Sequence, residues 1–149
     1  MSEQPIQRGP FLLQFANSQR LSALLTRAFA AAPLTTDEFA VYSLLRLIGP
    51  TTPSQLASGL GMPASTMSHY LRRMADRRHL HRTRNPADGR SSFVELTKSG
   101  RVATEACFPG FDKAISAFRQ HLDIPEKELL GALEAMNDAL GAALAEPDA

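Results

Sequence analysis

The chain has 149 residues, 44% of them hydrophobic and 21% charged, with a formal net charge of +1. That is enough for one domain with its own core, or for a small domain carrying helical extensions. No apolar run approaches the roughly 20 residues that cross a bilayer, no basic-then-apolar leader opens the chain, and the single Cys107 has no internal partner, so a cytoplasmic protein without membrane contact is expected.

The near-neutral total hides an asymmetry. Residues 69–101 hold nine Arg or Lys against three Asp or Glu, while the rest of the chain holds seven basic and twelve acidic residues. Clustered cations inside a mildly acidic protein suit a polyanion, because phosphate neutralisation depends on local rather than total charge. A solvated charged face is the competing reading.

Residues 1–9 read as a flexible tail. From Gly9 to Ala32 the pattern is helical and unusually apolar, with Phe11, Phe15, Leu21, Leu25 and Phe29, and such a helix needs cover on more than one side. Pro33 ends it. Thr35 and Glu38 have capping-box spacing and open a second helix to about Leu47, with Phe39, Tyr42 and Leu45 or Leu44 inward and Gly49-Pro50 as the stop. Thr52 to Gln55 repeat the cap ahead of a short helix ending at Leu60-Gly61. Pro63 starts another helix, reaching about Arg77, with Met67, Leu71 and Met74 as its buried stripe. Two short helices joined by a glycine-containing turn form a helix-turn-helix.

Beyond Arg78 the period changes. Residues 80–84 and 92–96 read as strands joined by Asn85-Pro86-Ala87-Asp88-Gly89, a run of turn formers, which makes a hairpin. Thr97 caps a helix to about Leu122, with an interruption expected at Pro109-Gly110. Asp123 to Glu126 has the spacing of a third capping box, and the last helix carries Leu129, Leu133, Met136, Leu140 and Leu144 on one stripe.

The run from T-P-S-Q-L-A-S-G-L-G through P-A-S-T-M-S-H-Y-L-R-R-M to the tip N-P-A-D-G-R-S and the following V-E-L-T-K-S-G-R resembles the MarR family of bacterial transcription regulators. A D-x-R-S tip followed by L-T-x-x-G is the more specific part. The resemblance implies a mostly α fold with a small β-wing: a winged helix-turn-helix over 35–97, with helical dimerisation regions at 10–34 and 98–149. It implies a homodimer on double-stranded DNA with a pseudo-palindromic operator, hence a nucleoid-associated, non-enzymatic regulator, expected to be a repressor. Two departures stand out: Met62 occupies a common cap position, and Arg77-Arg78-His79 occupies a place where glycine commonly closes the recognition helix.

With Met67, Leu71 and Met74 inward, Ser65, Ser68, His69, Arg72 and Arg73 lie on or beside the open face. His69 and Arg72 or Arg73 can reach base edges, and Ser65 and Thr66 are short donors for phosphates or nearby bases. At the tip, Arg90 suits minor-groove insertion, Asp88 can hold an arginine by a carboxylate–guanidinium pair, and Gly89 frees the turn. Arg82 and Arg84 flank phosphates in this reading. An exposed helix without groove contact, and Asp88 as a plain turn residue, are the alternatives.

Other features carry less. His79 and His81 lack the further ligands that a metal site needs, so no metal and no cofactor is expected. Nothing resembles a nucleophile elbow or a phosphate loop, so no catalytic residue is assigned. Phe15, Phe39, Tyr42, Phe108 and Phe111 are candidates for an effector pocket, since the family often takes small aromatic or amphipathic compounds, though core packing is the competing role of each. Two other functions stay open: a winged-helix protein-interaction module without specific DNA binding, and a thiol sensor acting through Cys107. The family's peroxide-sensing branch carries its cysteine in the first helix, where this chain has none.

Overall fold

The computed structural model describes residues 9–147; the expected tail lies, except for Gly9, outside them. The elements are α1 (Pro10–Ala28), α2 (Thr36–Ile48), α3 (Pro53–Gly59), α4 (Ala64–Asp76), β1 (Leu80–Arg84), β2 (Ser92–Leu96), α5 (Lys98–Glu105), α6 (Phe108–Arg119) and α7 (Glu126–Leu144). The chain divides into one compact unit ending at Asp112 and a second from Lys113 onward.

The first unit holds the winged core. Phe39, Val41, Tyr42 and Leu45 of α2, Leu56 and Ala57 of α3, and Met67, Leu71 and Met74 of α4 bury together with Val94 and Leu96 of β2. Thr35 and Thr52 form the two expected capping boxes, each hydroxyl accepting from the third amide while Glu38 or Gln55 reaches back. α5 adds Ala103, and Cys107 follows it into the same core, so this core extends beyond residue 97.

The wing is an antiparallel pair running from Leu80 opposite Leu96 to Arg84 opposite Ser92. Thr51 adds a bridge on the other side of β2: its amide donates to Val94 O at 3.1 Å and its carbonyl accepts from Val94 N at 2.8 Å. The hairpin is thereby stitched to the loop that precedes the helix-turn-helix. Nothing in the hydrophobic pattern marks this one-residue bridge.

Three local expectations are corrected. The interruption between α5 and α6 falls at Ala106 and Cys107, and Pro109 lies inside α6 near its start, where a missing amide hydrogen bond costs little. Gly110 does not break the helix: a Cβ there would stand 2.5 Å from the Ala28 carbonyl oxygen, so its role is close approach to the end of α1. The Asp123–Glu126 capping box does not form, because Pro125 is the N-cap of α7 without a side-chain bond. Glu126 instead accepts two hydrogen bonds from Arg119, at 2.9 and 3.0 Å, within the second unit.

No residue of α1 or α7 is buried. Phe11, Phe15 and Leu21 of α1, and Leu130, Leu133, Leu140 and Leu144 of α7, are exposed. The cover expected for the apolar first helix is thus not supplied among the described residues.

Candidate nucleic-acid interface

α4 separates its faces cleanly. Met67, Leu71 and Met74 recur at four- and three-residue steps and are each 1% exposed, while Ser65, Thr66, Ser68, His69, Arg72 and Arg73 are exposed. The N-cap of α4 is Pro63, which makes no side-chain cap, and Met62 lies one residue ahead of the cap position. Its first-turn amides therefore point out of the helix end without a side-chain acceptor.

The other end explains how the family's usual glycine is replaced. Arg78 takes a left-handed backbone with φ of 58°, which costs an L side chain about 1–2 kcal/mol. Its amide donates to Ala75 O and that of His79 to Met74 O, both at 2.9 Å, which is the paired bonding of a Schellman motif. The Arg78 carbonyl then accepts from the Thr97 hydroxyl at 2.8 Å and the Ser99 hydroxyl at 3.1 Å. Thr97 also donates its amide to His79 O at 3.0 Å. Gly100 completes the fit, since a Cβ there would stand 2.5 Å from the His79 carbonyl oxygen. The L-T-x-x-G segment is thus a clamp that fixes the elbow between α4 and the wing.

At the wing tip, Asp88 holds backbone and not guanidinium. Its Oδ1 accepts from the Arg90 amide at 3.0 Å, and among the described residues it forms no ion pair. The expected carboxylate–guanidinium pair is replaced by this local turn, because two residues is the spacing at which an aspartate bonds the chain ahead of it. Gly89 does not take a positive φ, so a left-handed turn is not what it provides. Asn85 clasps the base of the tip, its Nδ2 donating to Ser91 Oγ at 2.9 Å and its Oδ1 accepting from Ala87 N at 3.0 Å. Arg82, Arg84 and Arg90 remain exposed.

One group missed in the sequence stands behind α4. Glu38, read there only as a capping residue, has a side chain 3% exposed and pairs with Arg73 at 2.9 Å and Arg77 at 3.1 Å. Burial would raise its carboxyl, but the Thr35 amide, Arg77 and Arg73 together hold it below the usual carboxylate range. Arg73 therefore shares an internal carboxylate with Arg77, whereas Arg72 is in no ion pair among the described residues. Position 38 shares a helical stripe with Tyr42 and Leu45, and a carboxylate on an apolar stripe is the signal that would have exposed it. Nearby, Tyr42 Oη lies 3.0 Å from His79 Nδ1.

The candidate effector residues are only partly brought together. Phe39 packs on Phe111 and Phe29 at 4.9 Å between centroids and on Phe108 at 6.2 Å. Tyr42 is fully buried with its ring against His79, and Phe15 stands 64% exposed on α1 and is not part of this cluster. Cys107 is buried with its Sγ 3.4 Å from Ala103 O, and burial pushes the thiol up, away from the thiolate that a redox sensor needs.

A helix-turn-helix whose second helix exposes serines, histidine and arginine, with an arginine-bearing hairpin beside it, defines a DNA-binding transcription regulator of the winged-helix class. A family model described as the MarR family matches residues 33–91. The multiple antibiotic resistance protein MarR of Salmonella typhimurium is 29% identical over 97 residues, which is 64% of this chain and 67% of that protein. The M. tuberculosis regulator MOSR, solved in complex with DNA, superposes with a TM-score of 0.78 at 20% identity, covering 91% of this chain and 98% of that one. Bordetella bronchiseptica BpsR, whose DNA binding is regulated by 6-hydroxynicotinic acid, superposes with a TM-score of 0.78 at 23% identity, covering 91% and 97%. The chain is thus similar to MarR-family regulators, with the family model matching its residues 33–91.

Proposed function

We propose that the protein is a cytoplasmic homodimeric repressor that places α4 in the major groove of each half of a pseudo-palindromic operator and the wing against the flanking minor groove. The observation that carries this reading is the set of exposed guanidiniums, at Arg72 on α4 and at Arg82, Arg84 and Arg90 on the wing, none in an ion pair among the described residues. Free cations next to an open helix face suit phosphate and base-edge acceptors. In this reading Ser65, Thr66, Ser68, His69 and Arg72 face the groove, with the uncapped start of α4 toward phosphate. Arg90 enters the minor groove, Asp88 and Gly89 shape its turn, and Arg82 and Arg84 lie along phosphates. Arg73 acts from behind, through Glu38.

Dimerisation is supported by the uncovered apolar faces of α1 and of α7, one in each unit, which a second copy would cover. Regulation by a small organic acid is proposed from the likeness to BpsR and from the Phe39, Phe108 and Phe111 cluster in the winged unit.

Selection of genomic fragments by the purified protein, followed by footprinting, tests the function. A two-fold symmetric protected site is expected. Folded Arg72→Ala and Arg90→Ala variants that bind that site like the wild type would overturn the contact scheme. Aromatic acids that raise the melting temperature while weakening operator binding would bear on the effector, and a broad screen without such a compound would leave constitutive binding as the better account.

A further inference from the structure

Resting on the reading of α4 as the groove-entering helix, we infer that Glu38 is a positioning residue for DNA discrimination: by clamping Arg73 and Arg77 it sets the orientation in which α4 presents Ser65, Ser68, His69 and Arg72. The apolar side of α4 does not fix that orientation by itself. Its three buried residues are Met67, Leu71 and Met74, and two of them are methionines, which repack readily. Apolar burial is also non-directional, so it holds the helix down without setting its rotation or slide.

Glu38 supplies the missing direction. One carboxylate oxygen is used by the Thr35 amide at 3.0 Å, which locks the side chain to the start of α2. The other lies 2.9 Å from Arg73 Nη2 and 3.1 Å from Arg77 Nη2 as two ion pairs; Arg77 is the C-cap of α4, four residues after Arg73, and so on the same side of the helix. A second tie runs between the same helices, from Tyr70 Oη to Asp37 Oδ2 at 3.2 Å. Replacing a buried ion pair by apolar side chains is often neutral or stabilising, so stability alone does not call for a carboxylate here. A charge with side-chain exposure of 3% and two guanidiniums converging on one oxygen is suited instead to geometric specification. The single carboxylate also offsets one of the two positive charges beside it, which lowers the attraction of this end of α4 to any phosphate and leaves discrimination to the groove-facing side chains.

The test uses the full-length chain with Glu38→Gln and, separately, Arg77→Gln. Dissociation constants are measured by fluorescence anisotropy for the selected operator and for a scrambled duplex of equal length at one salt concentration. Both variants are expected to lose about tenfold in the operator-to-scrambled ratio, the scale of one good base contact. Affinity for the scrambled duplex should stay level in Arg77→Gln and stay level or rise in Glu38→Gln, where guanidiniums are released. Leu34→Ala, in the loop before α2, is the control: it removes a side chain 2% exposed and lowers the melting temperature, but should leave the ratio unchanged. A wild-type ratio in either folded variant overturns the inference while leaving the DNA-binding function standing. A similar fall in Leu34→Ala overturns it too, because the ratio would then follow stability. A wild-type chain without sequence preference would overturn the recognition reading itself, and this one with it.

Discussion

Arg90 and Arg82 allow two kinds of DNA contact to be told apart at single residues. Arg90→Ala should weaken operator binding by about 1–3 kcal/mol with the fold intact, because the side chain is exposed at a hairpin tip whose turn is held by Asp88 and Asn85. Arg82→Ala should weaken all sequences alike and flatten the salt dependence, as expected for a phosphate contact. Titrations on operator and scrambled DNA at several salt concentrations separate the two outcomes. Gly100 behaves differently, being structural. Gly100→Ala would push a methyl group to 2.5 Å from the His79 carbonyl oxygen, so the elbow must open. A loss of stability of at least about 1–3 kcal/mol is expected, the scale of overpacking, and denaturant unfolding measures it. An unchanged midpoint would mean that the elbow is not clamped as described.

At the scale of elements, the junction of α4 with the wing is where local preference and tertiary structure conflict. Arg78 in a left-handed backbone is strained, and the strain is held by the Schellman pair and by the hydroxyls of Thr97 and Ser99 on its carbonyl. Arg78→Gly should therefore be no less stable than the wild type, and more stable by up to about 1 kcal/mol once the entropy cost of glycine is counted; a clear drop in melting temperature would contradict this.

The same junction gives α2 and α4 a pH dependence. Burial, followed by the charge of Arg77, holds the His79 imidazole below its ordinary value of 6.5. The folded state thus prefers neutral His79, and stability is lost as pH falls below about 6.5, where only the unfolded chain readily takes the proton. Glu38, held below 4.5, contributes stability that is present above that value and lost as pH falls further. Melting temperature should decline in two steps on acidification, and His79→Asn should remove the upper one.

For the whole molecule, the decisive question is what covers α1 and α7. Each exposes several large apolar side chains, among them Phe11 at 72% and Leu144 at 84%. Sedimentation should show a dimer at micromolar concentration, and Phe11→Glu with Phe15→Glu should shift it toward monomer and weaken operator binding, since two linked half-sites bind far more tightly than one. A stable wild-type monomer at that concentration would contradict the assembly proposed here.

Much of this protein was legible in the order of its residues because the signals are local. The capping boxes at Thr35 and Thr52, the Met67, Leu71 and Met74 stripe and the strands around the Asn85–Gly89 turn all act within a few residues, and each forms where the pattern puts it. The basic block and the D-x-R-S tip, equally local, are the signals from which the DNA-facing side is proposed. What only the tertiary structure decided depends on partners far apart in sequence. Arg73 looked like its neighbour Arg72 until Glu38, thirty-five positions earlier, was found facing it across two helices. The Asp123 box looked like the first two, yet Arg119 took its glutamate. A glycine was not needed at the end of α4 because Thr97 and Ser99 return from beyond the wing to hold Arg78 in place. Periodicity reports which face of an element is apolar; it does not report which charge will be waiting when that face is covered.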